Sequence, residues 1–243
     1  VADSDRAVDG ANGGRPPRVL RLCSVFEAPA SANVGRGARC DPVGGMQEHT
    51  GSLTRALARR GIAQVVLTAR PPTAPWIERR GPRVTIVRVG LPVRRPRRLY
   101  CLPAALLAPA LGSRADLVHV HLGEDLAILP LAALAARPRG LPVVVTVHCS
   151  LTHTLVVHDV RSAVLRTLGG LIERAGERRA DVTLVYTKRL AERVRERNGG
   201  AAVRVMHRGV DARGFRDPGA DPFAHLPGRP RVLFVGRIVR PKG

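Results

Sequence analysis

Four places in the sequence hold residue types that could do chemistry. Gly44-Gly45 comes immediately before a stretch with helical spacing. There, the amides of a first helical turn and the positive end of the helix dipole would suit a diphosphate, and the missing Cβ atoms would let it approach closely. The pair has neither the dinucleotide-fingerprint spacing nor that of a P-loop, so taken alone a flexible turn is the simpler account. His148 closes the run PVVVTVH, where an imidazole either faces a ligand or ends the strand with a hydrogen bond. His119 and His121 lie two apart and share one strand face, with His119 suited to the core and His121 nearer the mouth. Glu124-Asp125 follow, and acids in a first helical turn stabilise its dipole without any chemistry. Arg237 and Lys242 stand at the end of the sequence. A guanidinium clamps two phosphate oxygens and an ammonium adds charge, whereas the plain alternative is a solvated basic loop.

Metal chemistry is not expected. His148, His153 and His158 match no ligand spacing, and Cys23, Cys40, Cys101 and Cys149 form no C-x-x-C pair. The cysteines read instead as small hydrophobes, and no disulfide framework is favoured.

The elements that must position these residues alternate regularly. Strands are expected at 18–26, 64–68, 83–89, 116–121, 142–148, 182–186 and 203–206, and helices at 46–60, 99–111, 124–137, 160–179 and 188–197. Such alternation predicts an α/β fold: a Rossmann-like parallel sheet with helices on both faces. Its ligands would collect beyond the carboxyl ends of the strands, where His121, His148 and Gly44-Gly45 fall. Arg-Ala-Asp precedes two strands, at Asp116 and Asp181, as one approach used twice. The domain reading is a tail over 1–17, the sheet domain over 18–208, a Gly/Pro/Asp-rich linker over 209–230, and at 231–243 the first strand and loop of a truncated second domain.

With 44% apolar residues the 243-residue chain carries enough material for a core. Its net charge of +21 raises the possibility of a nucleic-acid partner. Against that, the basic residues are arginine except Lys188 and Lys242, as expected of GC-rich coding, and the few aromatic residues are scattered. An anionic small molecule fits the charge equally well. The first residues lack an apolar signal-peptide core, and the longest apolar runs fall short of a membrane helix, so a soluble cytoplasmic protein is the expectation.

Taken in order, DPVGGM (41–46), DLVHVH (116–121), VTVH (145–148), RADVTLVYT (180–187), RGVD with Phe215, and FVGRIVRPKG (234–243) resemble the N-terminal part of family 4 retaining glycosyltransferases. The resemblance covers about residues 18–243 and implies the two-domain GT-B fold. It implies an acceptor-binding N-domain, a nucleotide-sugar-binding C-domain absent from the sequence, and an isolated fragment that is inactive. Gly44, Gly45, Arg237 and Lys242 would approach the donor diphosphate, and His148 would lie close to the transferred sugar. No metal or other cofactor is implied, only a UDP-sugar as co-substrate. Asp3-Ser4-Asp5 has the D-x-D form of metal-dependent glycosyltransferases but lies in the tail and is set aside.

Members acting on inositol phosphate carry Tyr and Thr where this chain has Leu122 and Cys149. GGMQ (44–47), VHLGEDLAIL (120–129) and VTVHCSL (145–151) look closer to the actinobacterial enzymes that glycosylate 2-deoxystreptamine in aminoglycoside antibiotic biosynthesis. The implied reaction moves a GlcNAc or glucose unit onto an aminocyclitol. Its acceptor side would draw on Gln47, Glu48, His121, Glu124, Asp125 and His153, with the carboxylates meeting the ammonium groups. The alternatives are a basic nucleic-acid-binding module, and a transferase with another acceptor such as inositol phosphate.

Overall fold

The computed structural model describes residues 15–27, 45–71, 74–91, 99–123, 125–198 (without the side chains of 153 and 154), 202–207, 209, 219 and 223–225. The chain divides into two units, 1–207 and 208–243. The second falls almost wholly outside the described residues, as do Gly44, Glu124, Arg237 and Lys242.

The first unit is an eight-stranded sheet with helices on both faces. Its strands are β1 (Arg18–Cys23), β2 (Ala63–Ala69), β3 (Ile77–Arg79), β4 (Val84–Val89), β5 (Leu117–Leu122), β6 (Val143–Val147), β7 (Val182–Val185) and β8 (Val203–Val205). Its helices are α1 (Gly45–Arg59), α2 (Cys101–Gly112), α3 (Ile128–Ala136), α4 (Leu151–Thr154), α5 (Val160–Arg178) and α6 (Lys188–Asn198). The spatial order is β3-β4-β2-β1-β5-β6-β7-β8. Every pairing is parallel except β3 with β4. The expected α/β architecture is therefore present, with two additions: the short antiparallel strand β3, in a segment read as loop, and the four-residue α4.

The two faces of the sheet differ in chemistry. Leu20, Leu22, Leu67, Val118, Val120, Val145 and Val147 point into one aliphatic core, closed by α2, α3 and α6. The other face holds a smaller apolar cluster of Cys23, Phe26, Val66, Val84 and Ile86, against Ala58 of α1. Beside that cluster lie the buried polar residues Arg21, Gln64, His119, His121 and Thr146. This explains the alternation in LRLC and VHVH, since successive side chains leave a strand on opposite faces.

Asp116 and Asp181 act identically, and the repeated Arg-Ala-Asp acquires a physical reason. The Asp116 N–H donates to Arg18 O (2.8 Å), and its Oδ2 accepts the Arg18 N–H (2.9 Å). The Asp181 N–H donates to Val143 O (2.9 Å), and its Oδ2 accepts the Val143 N–H (2.7 Å). Each aspartate thereby grips the first residue of the neighbouring strand. The helices α5 and α6 are tied by Glu177, which accepts from Arg197 (2.6 Å) and Asn198 (2.7 Å).

Candidate functional site

The chain builds outward from β1 to β2 and β4, then returns through α2 to lay β5 on the other side of β1. Strand order reverses there, between β1 and β5, which is where an open parallel sheet takes its ligands. His121 lies within β5 near its carboxyl end, in register with Cys23 of β1 and Thr146 of β6. His148 follows β6, and its N–H donates to Leu122 O (2.8 Å), so pairing with β5 continues to that residue. Tyr186 follows β7. His49 comes from the start of α1.

These side chains form one cluster. His121 Nδ1 is 3.0 Å from His148 Nε2, and His148 Nδ1 is 3.5 Å from the Tyr186 hydroxyl. The His49 ring meets those of His148 and Tyr186 edge-on, with centroids 5.3 and 5.4 Å apart. Behind them, His119 bonds Thr146 Oγ1 through Nε2 (2.8 Å) and its ring lies 4.3 Å from that of His121. Burial above all pushes the His119 and His121 imidazoles well below the ordinary histidine range. Their repulsion from Arg21 adds to this, as does that of His119 for His121. Both rings are neutral at neutral pH.

Arg21 underlies the cluster. It is fully buried, and it donates to Thr50 O (3.1 Å), Thr54 Oγ1, Gln64 Oε1 (3.3 Å) and His121 Nε2 (2.5 Å). Gln64 Nε2–H in turn donates to Thr54 O (2.9 Å). One turn of α1 is thus fastened to β1 and β2, which fixes where the helix begins. α1 starts at Gly45, and the amides of a first helical turn point out along the axis. A Cβ at Gly123 would lie 3.1 Å from Met46 Sδ, so glycine there lets the start of α1 lie against the end of β5.

The sequence expectations divide accordingly. His121 and His148 are brought together, but His121 is placed deeper than expected. It is fully buried with both ring nitrogens engaged, so it stands behind His148 instead of facing an acceptor. Gln47 is likewise buried. Glu48 is exposed, accepts from Ser52 Oγ (3.1 Å) and lies 3.6 Å from Arg55. Asp125 Oδ1 accepts the Ala127 N–H (3.0 Å) and its Oδ2 is buried, which is the helix-start duty already suggested for it. Beside it, the Tyr100 phenol is pushed up by burial and then by the Asp125 carboxylate. Gly44, Glu124, Arg237, Lys242 and the His153 side chain lie outside the described residues. Arg21, His49 and Tyr186 are additions that the sequence reading missed. Among the described residues no group of three His, Cys, Asp or Glu is placed to hold a metal ion. A groove of about 560 Å³ between α3 and α5 is lined by Val143 and Asp181, at the opposite, amino ends of β6 and β7.

Residues 43–213 match the family described as Glycosyltransferase Family 4. The chain belongs to this glycosyltransferase family. This family 4 chain is 34% identical over 245 residues to a 2-deoxystreptamine N-acetyl-D-glucosaminyltransferase of Streptomyces fradiae, covering 93% of the chain and 58% of that relative. It is 37% identical over 226 residues to a 2-deoxystreptamine glucosyltransferase of Streptomyces kanamyceticus, covering 82% of the chain and 57% of that relative. The family 4 chain therefore spans somewhat over half the length of these relatives. Its fold is similar to that of a sucrose-phosphate synthase from Thermosynechococcus elongatus, with a TM-score of 0.54 at 13% identity over 82% of this chain and 92% of the other.

Proposed function

We propose that the protein transfers a sugar, of the N-acetylglucosamine or glucose type, from a UDP-sugar to an aminocyclitol such as 2-deoxystreptamine, with retention at the sugar carbon. The observation that carries this reading is the pair of Streptomyces relatives, whose names share 2-deoxystreptamine and differ in the sugar. The position of the His148 cluster beyond the strand ends, at the reversal of strand order, supports it.

In this reading the acceptor hydroxyl oxygen bonds to the sugar C1 as the bond from C1 to the diphosphate oxygen breaks. The hydroxyl proton passes to a phosphate oxygen on the same face, and the nucleoside diphosphate leaves with the bonding pair. Negative charge grows on that leaving group, so fixed donors and cations stabilise the transition state more than the ground state. The amides at the start of α1 are such donors, and Gly44, Arg237 and Lys242 are proposed as further diphosphate-binding residues. His148 lies beside the transferred sugar, whose ring becomes cation-like as the bond breaks. The neutrality of His119 and His121 keeps further positive charge away from that ring. Glu48 and Glu124 are proposed to meet the ammonium groups of the acceptor, while Asp125 accepts the Ala127 N–H at its own helix start.

The test is to incubate the full-length protein with 2-deoxystreptamine and UDP-N-acetylglucosamine or UDP-glucose, following product mass and anomeric configuration. A product one sugar heavier, with the donor's configuration retained, is expected. Intact acceptor with both donors, and with the pseudodisaccharides built on 2-deoxystreptamine, would overturn the reading.

A further inference from the structure

The cluster contains a feature that stability does not account for. Arg21 is fully buried, yet among the described residues its partners are all neutral: a carbonyl, a hydroxyl, an amide oxygen and an imidazole nitrogen. A buried cation without a counter-ion is expensive, and such departures from good packing collect at functional sites. What this arginine does is set by its chemistry. A guanidinium has five N–H donors, no acceptor, and does not give up a proton in a protein.

We propose that Arg21 is a positioning residue that dictates which ring nitrogens of His121 and His148 carry protons. Facing a group that only donates, His121 Nε2 must offer its lone pair, and the single proton of the neutral ring must sit on Nδ1. That Nδ1–H points at His148 Nε2, 3.0 Å away, which must accept in its turn. With Nε2 accepting, the His148 ring carries its proton on Nδ1, the nitrogen 3.5 Å from the Tyr186 hydroxyl. Hydrogen-bond polarity therefore runs one way, from β1 through β5 to the end of β6, and His148 meets its surroundings with a donor at Nδ1. Burial, which holds His121 neutral, works in the same direction. His119 stands outside this chain because its Nε2 is engaged with Thr146.

The bearing of this lock on sugar transfer rests on the role proposed for His148, but the lock itself is read without substrate. The experiment is a two-bond proton–nitrogen correlation spectrum of the full-length protein carrying ¹⁵N-labelled histidine, recorded at neutral pH. Expected are Nδ1-protonated, Nε2-unprotonated patterns for both His121 and His148, assigned by His121→Gln and His148→Gln. Arg21→Met should shift one or both rings into the Nε2-protonated pattern, and Arg21→Lys, which still only donates, should keep the original one. An Nε2-protonated pattern for either ring in the unsubstituted protein overturns the proposal, and this remains decisive if Arg21→Met does not fold. An unchanged pattern in folded Arg21→Met overturns it as well. A protein with the expected spectra that transfers no sugar would leave the lock standing and remove the transferase reading instead.

Discussion

His119 and His121 are held neutral chiefly by burial, so each binds a proton more readily once the chain has unfolded. With folded values below the unfolded one, their stability contribution is complete above the unfolded histidine pKa of about 6.5 and is lost as pH falls below it. Each histidine should remove about 1.4 kcal/mol per pH unit until its folded value is reached. Urea unfolding midpoints should therefore be level near pH 8 and decline below about pH 6.5, and His119→Gln should roughly halve the decline. A flat profile down to about pH 5 would refute buried neutral rings. For chemistry the residue to change is His148: under the proposed transfer reaction, His148→Ala should lower the rate by about 100-fold or more, the scale for losing one group that stabilises a transition state. Product formation under saturating donor measures it. A rate within a factor of about two of the unsubstituted enzyme would place His148 outside the reacting centre.

Two glycines test how the elements are fitted together. A Cβ at Gly112, the last residue of α2, would lie 1.9 Å from the Ala135 carbonyl oxygen of α3, a backbone atom that cannot swing aside. A Cβ at Gly51 of α1 would lie 1.8 Å from Glu27 Oε1, the end of a flexible side chain that accepts from Arg55 (2.5 Å) and Arg80 (2.6 Å). Gly112→Ala should therefore cost about 3 kcal/mol and Gly51→Ala about 1 kcal/mol, in that order, by denaturant unfolding. Equal costs would contradict the close approach of α2 to α3. Most elements were legible because apolar periodicity follows burial, and the strands and longer helices fall within a few residues of their expected bounds. β3 was not legible: Ile77–Arg79 is a strand only because β4 pairs with it, and no local pattern records that partner. At the site, His148 was legible because it ends an apolar run. Tyr186 ends TLVY in the same way and could have been found by the same rule, whereas His49 was absorbed into the helical periodicity of α1. Arg21 was hidden because a strand is recognised by its apolar majority, which says nothing of the one cation within it.

At the scale of the whole molecule, the exposed arginines of the described sheet domain do not gather on one surface. Exposed arginines stand on α1 (Arg55, Arg59), beside β4 (Arg83), on α5 (Arg161, Arg166, Arg174) and on α6 (Arg189, Arg193), elements that lie on both faces of the sheet. Arg21 and Arg88 are turned inward. A nucleic-acid reader gathers cations along one face and binds with a steep salt dependence. This chain should show no retained duplex DNA at physiological salt in fluorescence anisotropy; tight binding there would revive that reading. The polarity of the domain lies along its strands instead. Asp116 and Asp181 lock the register of β5 against β1 and of β7 against β6 at the amino ends. For these two pairings the opposite rim is relieved of setting the register: insertions and exchanges around it can reshape what the protein accepts, generation after generation, without β5 sliding along β1 or β7 along β6.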